Sequence, residues 1–128
     1  MKTRLAVGFL LTGLLGCGPG QPVEVTAIQL GRVRNADKSI GSQVFDFKPT
    51  ETILASVVTS GEADDAVVRA RWSVRGVTVG DAEQRISHKD GGITPFELRS
   101  SGGFPPGTYT LEILLNDVPA GEREFKVR

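Results

Sequence analysis

The chain predicts an all-β fold, an antiparallel β-sandwich of about seven strands. Three observations carry that expectation. Apolar and polar residues alternate with period two along most segments beyond residue 22, as on strands with one face buried and one wet. No segment after residue 17 holds a helical period over eleven residues or more. Gly, Pro, Asn and Asp interrupt the pattern every ten residues or so, a spacing of short strands and turns. The connections are too short for the crossover helices that parallel strands require.

Each element follows in order. In "VEVTAIQLGRV", Val23, Val25 and Ala27 share one face, and Ile28 and Leu30 fall on the other phase. That switch predicts a bulge or bend near Ala27. "SQVFDF" leads through Lys48-Pro49-Thr50 into "ETILASVVTSG", where Ile53, Ala55 and Val57 alternate. The cleanest alternation is "AVVRARWSVRG", with Val68, Ala70, Trp72 and Val74 facing one way and Arg69, Arg71, Ser73 and Arg75 the other. "GVTVGD" and "QRIS" read as two further short strands, and "TPFELRS" offers Phe96 and Leu98. "GTYTLEILLND" places Tyr109, Leu111, Ile113 and Leu115 on one side before Asn116-Asp117 turns the chain. "REFKVR" closes it with Phe125 and Val127.

The first sixteen residues have a different character. Lys2 and Arg4 precede an apolar run from Leu5 to Leu15, broken only by Gly8, Thr12 and Gly13. This is the layout of a secretory signal peptide. The run is well short of the ~20 residues a membrane-spanning helix needs. It leads into Cys17, the only cysteine, so no disulfide within the chain can brace the domain.

Leu14-Leu15-Gly16-Cys17 resembles the lipobox of bacterial lipoproteins. The resemblance implies that residues 1–16 are removed and that the Cys17 sulfur carries a diacylglycerol. The exposed amine would be acylated too, commonly with palmitate. Two or three acyl chains anchor firmly where one does not. Gly18, in place of Asp, implies the outer membrane rather than retention at the inner one. The expected partner of Cys17 is thus membrane lipid, and residues 17–22, "CGPGQP", read as a flexible tether. The domain then occupies residues 23–128.

Without residues 1–16 the chain has 112 residues and keeps 13 of its 15 basic side chains against 15 acidic ones. That length suits one core. A formal balance of minus two gives no basic footprint for nucleic acid.

Trp72, followed by "PPGTYTLEIL" with Tyr109, resembles the immunoglobulin-like and fibronectin type III group. Tyr109 stands where that group often places its tyrosine corner. The missing inter-sheet disulfide excludes an antibody-type domain. More narrowly, "FKPTETILASVVTSG", "ARWSV" and "FPPGTYTLEILLNDVPAGEREFKV" look like the single immunoglobulin-like module of bacterial envelope lipoproteins. That resemblance implies a fold and a location and brings no activity with it.

No catalytic pattern emerges. His88, the only histidine, stands in the turn-like "SHKDGG" and reads as a solvent-exposed loop residue. One His and one Cys cannot build a zinc site of the usual kind. Asp64, Asp65 and Asp81 read as loop residues without the Asp-x-Asp-x-Asp spacing and closing Glu of a calcium loop. "SSGGFPPG" is glycine-rich, but Pro105-Pro106 removes the N–H donors a phosphate cradle needs. The sequence therefore calls for no cofactor and no metal, and for a non-catalytic module that binds an envelope protein or polymer. The alternatives are a structural spacer or assembly subunit and, further off, a small hydrolase. The candidate binding face is the outward side of the Trp72 strand and its neighbours: Arg69, Arg71, Arg75, Glu112, Leu114 and Lys126. Arg71 and Glu112 are expected to pair across strands, and Leu114 to serve as an outward apolar anchor.

Overall fold

The computed structural model describes residues 20–128, so the expected signal peptide (1–16), Cys17 and the start of the expected tether lie outside the described residues. The described chain forms eight strands: β1 (Glu24–Gly31), β2 (Asp46–Phe47), β3 (Ile53–Ser60), β4 (Ala63–Val74), β5 (Val77–His88), β6 (Gly92–Leu98), β7 (Gly107–Leu115) and β8 (Val118–Val127). They build two facing sheets, ordered β1-β3-β6 and β2-β8-β7-β4-β5. The neighbouring strands pair antiparallel, except that β2 runs parallel to the end of β8 for two residues.

Alternation builds the core between the sheets. Ile53, Ala55 and Val57 face Val68, Ala70 and Trp72, together with Tyr109, Leu111 and Ile113, all essentially inaccessible. Phe125 is the aromatic hub. Its ring stacks on Tyr109 at 5.3 Å and meets the edges of Phe47 at 5.6 Å and Trp72 at 5.9 Å, spacings favoured by the ring quadrupoles. Trp72 and Tyr109 lie on adjacent strands, opposite Leu111 and Val74. The Tyr109 hydroxyl donates to the Pro105 carbonyl at 2.6 Å. That bond locks the loop before β7 and realises the expected corner.

The bulge expected near Ala27 is present as a register shift between Val25 and Ala27. Asn116 and Asp117 form the two-residue β7–β8 turn at φ 51° and 67°, the left-handed pair that a tight hairpin needs. The Asn116 side chain also accepts the Val67 N–H at 2.9 Å, pinning the turn to β4.

Three expectations are corrected. "GVTVGD" and "QRIS" are one continuous strand, β5. Gly80 is not punctuation there: a Cβ would come within 2.5 Å of Leu98 and 3.0 Å of Trp72, so the glycine lets the strand lie close over the core. Asp64, Asp65 and Asp81 lie in strands β4 and β5, not in loops. The end of the tether is not free either. The Glu62 N–H donates to the Gln21 carbonyl at 2.8 Å and Pro22 bridges to Glu62. The chain therefore enters the fold at the β3–β4 turn.

The outer side of the smaller sheet is covered by the excursion between β1 and β2. Ile40 is 1% exposed and Ser56 is fully buried, its hydroxyl donating to the Lys38 carbonyl at 2.6 Å. Arg34 lies across the same sheet, donating to the carbonyls of Ala55 and Phe96.

Candidate functional site

The outer face of the five-stranded sheet assembles the residues singled out in the sequence. Register places Arg69 opposite Leu114, Arg71 opposite Glu112 and Ser73 opposite Thr110, with Thr110 in turn opposite Glu124 on β8. The expected Arg71–Glu112 pair forms at 3.5 Å. On the other flank β5 contributes Asp81, opposite Arg71, and Glu83, opposite Arg69.

Asp81 is the centre of this face. Arg69 grips its carboxylate with two hydrogen bonds, at 2.7 and 3.1 Å, and Arg71 approaches to 3.7 Å. The Arg69 hydrogen bond is the main reason that the Asp81 carboxyl sits below the ordinary carboxylate range, and the same bond raises the guanidinium. Asp117 adds a looser contact to Arg69 at 3.9 Å. The result is a chain of alternating charge, Asp117–Arg69–Asp81–Arg71–Glu112, running across β5, β4 and β7. A two-oxygen grip from a planar guanidinium fixes geometry better than it stabilises, and exposed pairs contribute only ~0.2–1 kcal/mol each.

The remaining candidates stand apart from that chain. Arg75 sits in the β4–β5 turn at φ 50° and donates to the Pro106 carbonyl at 3.3 Å. Lys126 lies opposite Thr108 and Asp46, at the far edge of the sheet. It borders a shallow cleft of about 300 Å³ with Phe45, Thr108 and Glu124. Leu114 is a correction: its phase is outward, but it is 7% exposed and offers no free apolar anchor. The tight Asn116–Asp117 turn brings Pro119 back opposite Leu114 at a register shift, with Arg69 on its other side.

Two features escaped the sequence reading. Asp81 reads as a loop residue beside Gly80, but Asp81-x-Glu83-x-Arg85 alternates like the face it joins. His88 is not a free loop residue. Its Nδ1 accepts the Gly91 N–H at 3.1 Å, and its Nε2 lies 2.9 Å from the Thr59 hydroxyl. The first bond makes Nδ1 an acceptor, so Nε2 carries the proton toward Thr59. Both nitrogens are engaged in tying the β5–β6 turn to β3. Among the described residues no group of three His, Cys, Asp or Glu is placed to hold a metal ion.

Comparison with solved structures settles the fold. An immunoglobulin-like protein from Pseudomonas aeruginosa superposes with a TM-score of 0.54 at 13% identity, over 84% of this chain and 98% of that one. The fold is immunoglobulin-like. The alkylpurine DNA glycosylase AlkC of Pseudomonas fluorescens, bound to DNA containing an abasic site analogue, gives 0.57 at 12% identity over 83% of this chain. A β-glucosidase from Listeria innocua in complex with glucose gives 0.50 at 9% identity, again over 83%. The chain spans 30% of the glycosylase and 16% of the glucosidase, and at such identities the likeness is one of fold alone. No family model matches the sequence, and no curated protein matches it.

Proposed function

We propose that this chain is an envelope lipoprotein, anchored through acylated Cys17 and carrying one non-catalytic immunoglobulin-like module. One observation carries the reading: the charged start, apolar run and lipobox lead within five residues to Pro22, which is pinned at one end of the sandwich. A lipid at Cys17 would hold the domain by its β3–β4 end. The outer membrane is the favoured home, on the strength of Gly18.

A binding or accessory role, toward an envelope protein or polymer, is the first form of the proposal. The second is a structural spacer or assembly subunit, and the charge chain on the large sheet favours it. Arg69 and Arg71 are already matched by Asp81 and Glu112 on the same face, as on a wall that faces water.

Detergent phase separation tests the anchor. Wild-type protein made in a bacterium should enter the detergent phase, and Cys17→Ser should remain an uncleaved precursor or move to the aqueous phase. Wild type in the aqueous phase would overturn the lipoprotein reading.

A further inference from the structure

Sheet edges are open templates for pairing, and folded proteins close them. Three of the four edges here are closed in a visible way. The start of β8 meets β1, where Arg123 donates to the Ile28 carbonyl at 3.1 Å, and its end is paired with β2. β6 carries Pro95, its carbonyl bonded by Gln84, and the Phe96 carbonyl is bonded by Arg34. β5 is different. It is the terminal strand of the larger sheet, twelve residues long and exposed over most of them. Among the described residues no element and no side chain bonds to its backbone along the outer edge.

What guards β5 is charge, and the charge has a pattern. Asp81, Glu83 and Arg85 alternate outward, while Ala82, Gln84 and Ile86 take the inward phase. An antiparallel copy of the same strand must meet it about a two-fold axis, with one residue opposite itself. Centred on Ala82, the outward pairs are Asp81 with Glu83, which repel. A centre on Glu83 or on Arg85 sets that charge against its own copy. Centred on Gln84, Glu83 meets Arg85 twice, Asp81 meets Ser87 twice and Ala82 meets Ile86 twice, while the two Gln84 side chains, each donating to its own Pro95 carbonyl, face each other across the axis. No cross-strand pair then sets like charges opposite, and two join opposite charges. The same charges oppose the neighbouring registers centred on Ala82, Glu83 and Arg85 with like charge.

We propose that β5 is a homodimer edge, and that two copies of this chain pair antiparallel about Gln84 into one continuous ten-stranded sheet. The two tethers then leave at opposite ends of the dimer. Both reach one bilayer when the joined sheet lies along the membrane. Pairing itself does not depend on Cys17, so the dimer and the anchor fail or stand separately.

Register-specific cross-linking tests this with the full chain in membranes. Residues paired across the axis have Cβ atoms ~4.5–5.5 Å apart, whereas two copies of Ala82 would be separated by roughly 13 Å along the strand. Gln84→Cys should therefore give a disulfide-linked dimer under mild oxidation. Ala82→Cys should give none, and wild type, with only Cys17, none. Charge reversal is the second arm, read by sedimentation of full-length protein in detergent. Glu83→Arg or Arg85→Glu alone should weaken dimerisation by about tenfold or more, since each sets like charges opposite twice. The double reversal should restore it, while Trp72 fluorescence reports an intact fold throughout. Equal cross-linking at positions 82 and 84 would overturn the proposal. So would a double reversal no better than either single one, or a cross-link from the Gln84→Cys thiol to a different protein.

Discussion

The three-stranded sheet is roofed by its own chain, whereas the five-stranded sheet shows water a bare wall of charge. Over the small sheet, Ile40, Arg34 and the stretch between β1 and β2 seal Ser56 beneath them. Over the large sheet, the outward charges of β4, β5 and β7 pair with one another and with Asp117, as ion pairs about a third or more exposed. The two surfaces obey the same rule from opposite directions. A polar group taken from water must be bonded, and here Ser56 and Arg34 are. A charge left in water needs no partner for stability, so its pairing sets orientation more than energy. Substitutions should therefore cost much on the roofed face and little on the bare one.

The largest difference is expected at Ile40. Its side chain is 1% exposed, and its Cγ2 fills the space beside Gly31, where a Cβ would come within 2.6 Å. Ile40→Ala removes that packing and should lower stability by about 2–5 kcal/mol, a large part of the ~5–15 kcal/mol a domain has in all. Urea unfolding followed by Trp72 fluorescence measures it. A loss under ~1 kcal/mol would mean that the excursion is an ornament and not a roof.

Arg34 comes next. Its guanidinium donates to two ladder carbonyls, and burial holds its pKa below the ordinary arginine value. Arg34→Met keeps the apolar stem and removes the donors, for an expected loss of about 1–3 kcal/mol. Lysine should recover only part of it, having no planar fork to span both carbonyls. Full recovery by lysine would show that charge alone is required.

The same comparison explains what the sequence could tell. Where a strand has one wet and one dry face, alternation is legible, and β3, β4 and β7 stand out in the sequence for that reason. The roof was not legible, because a single Ile40 within "NADKSIGSQV" has no periodicity to announce it. β5 reads as two strands in the sequence because Gly80 and Asp81 look like a turn. In the fold Gly80 is a close-packing site and Asp81 a paired strand residue, and both facts depend on β4 and β6, which are distant in sequence. The arginines and Glu112 of the candidate face could be read from alternation within β4 and β7. Burial of Leu114 could not, since it depends on how soon a hairpin returns.

The smallest effect belongs to the bare wall, and pH gives it a signature. Asp81 accepts two hydrogen bonds from Arg69, so its folded pKa lies below its unfolded one. A carboxyl shifted downward contributes stability at pH values above its unfolded pKa, near 4. That contribution is lost as the pH falls through the lower folded value. Asp81→Asn should therefore cost no more than about 1 kcal/mol at pH 7, because the pair is a third exposed on both sides and water screens it. The difference between variant and wild type should shrink toward zero as the pH falls through that lower folded value and wild-type Asp81 is itself protonated, and it should also shrink in high salt. Urea titrations at pH 7 and at a series of acid pH values measure it. A loss of several kcal/mol that persists in acid would mean that Asp81 supports the fold through its shape or backbone. The wall would then belong with the roof, and the contrast between the two sheets would fall.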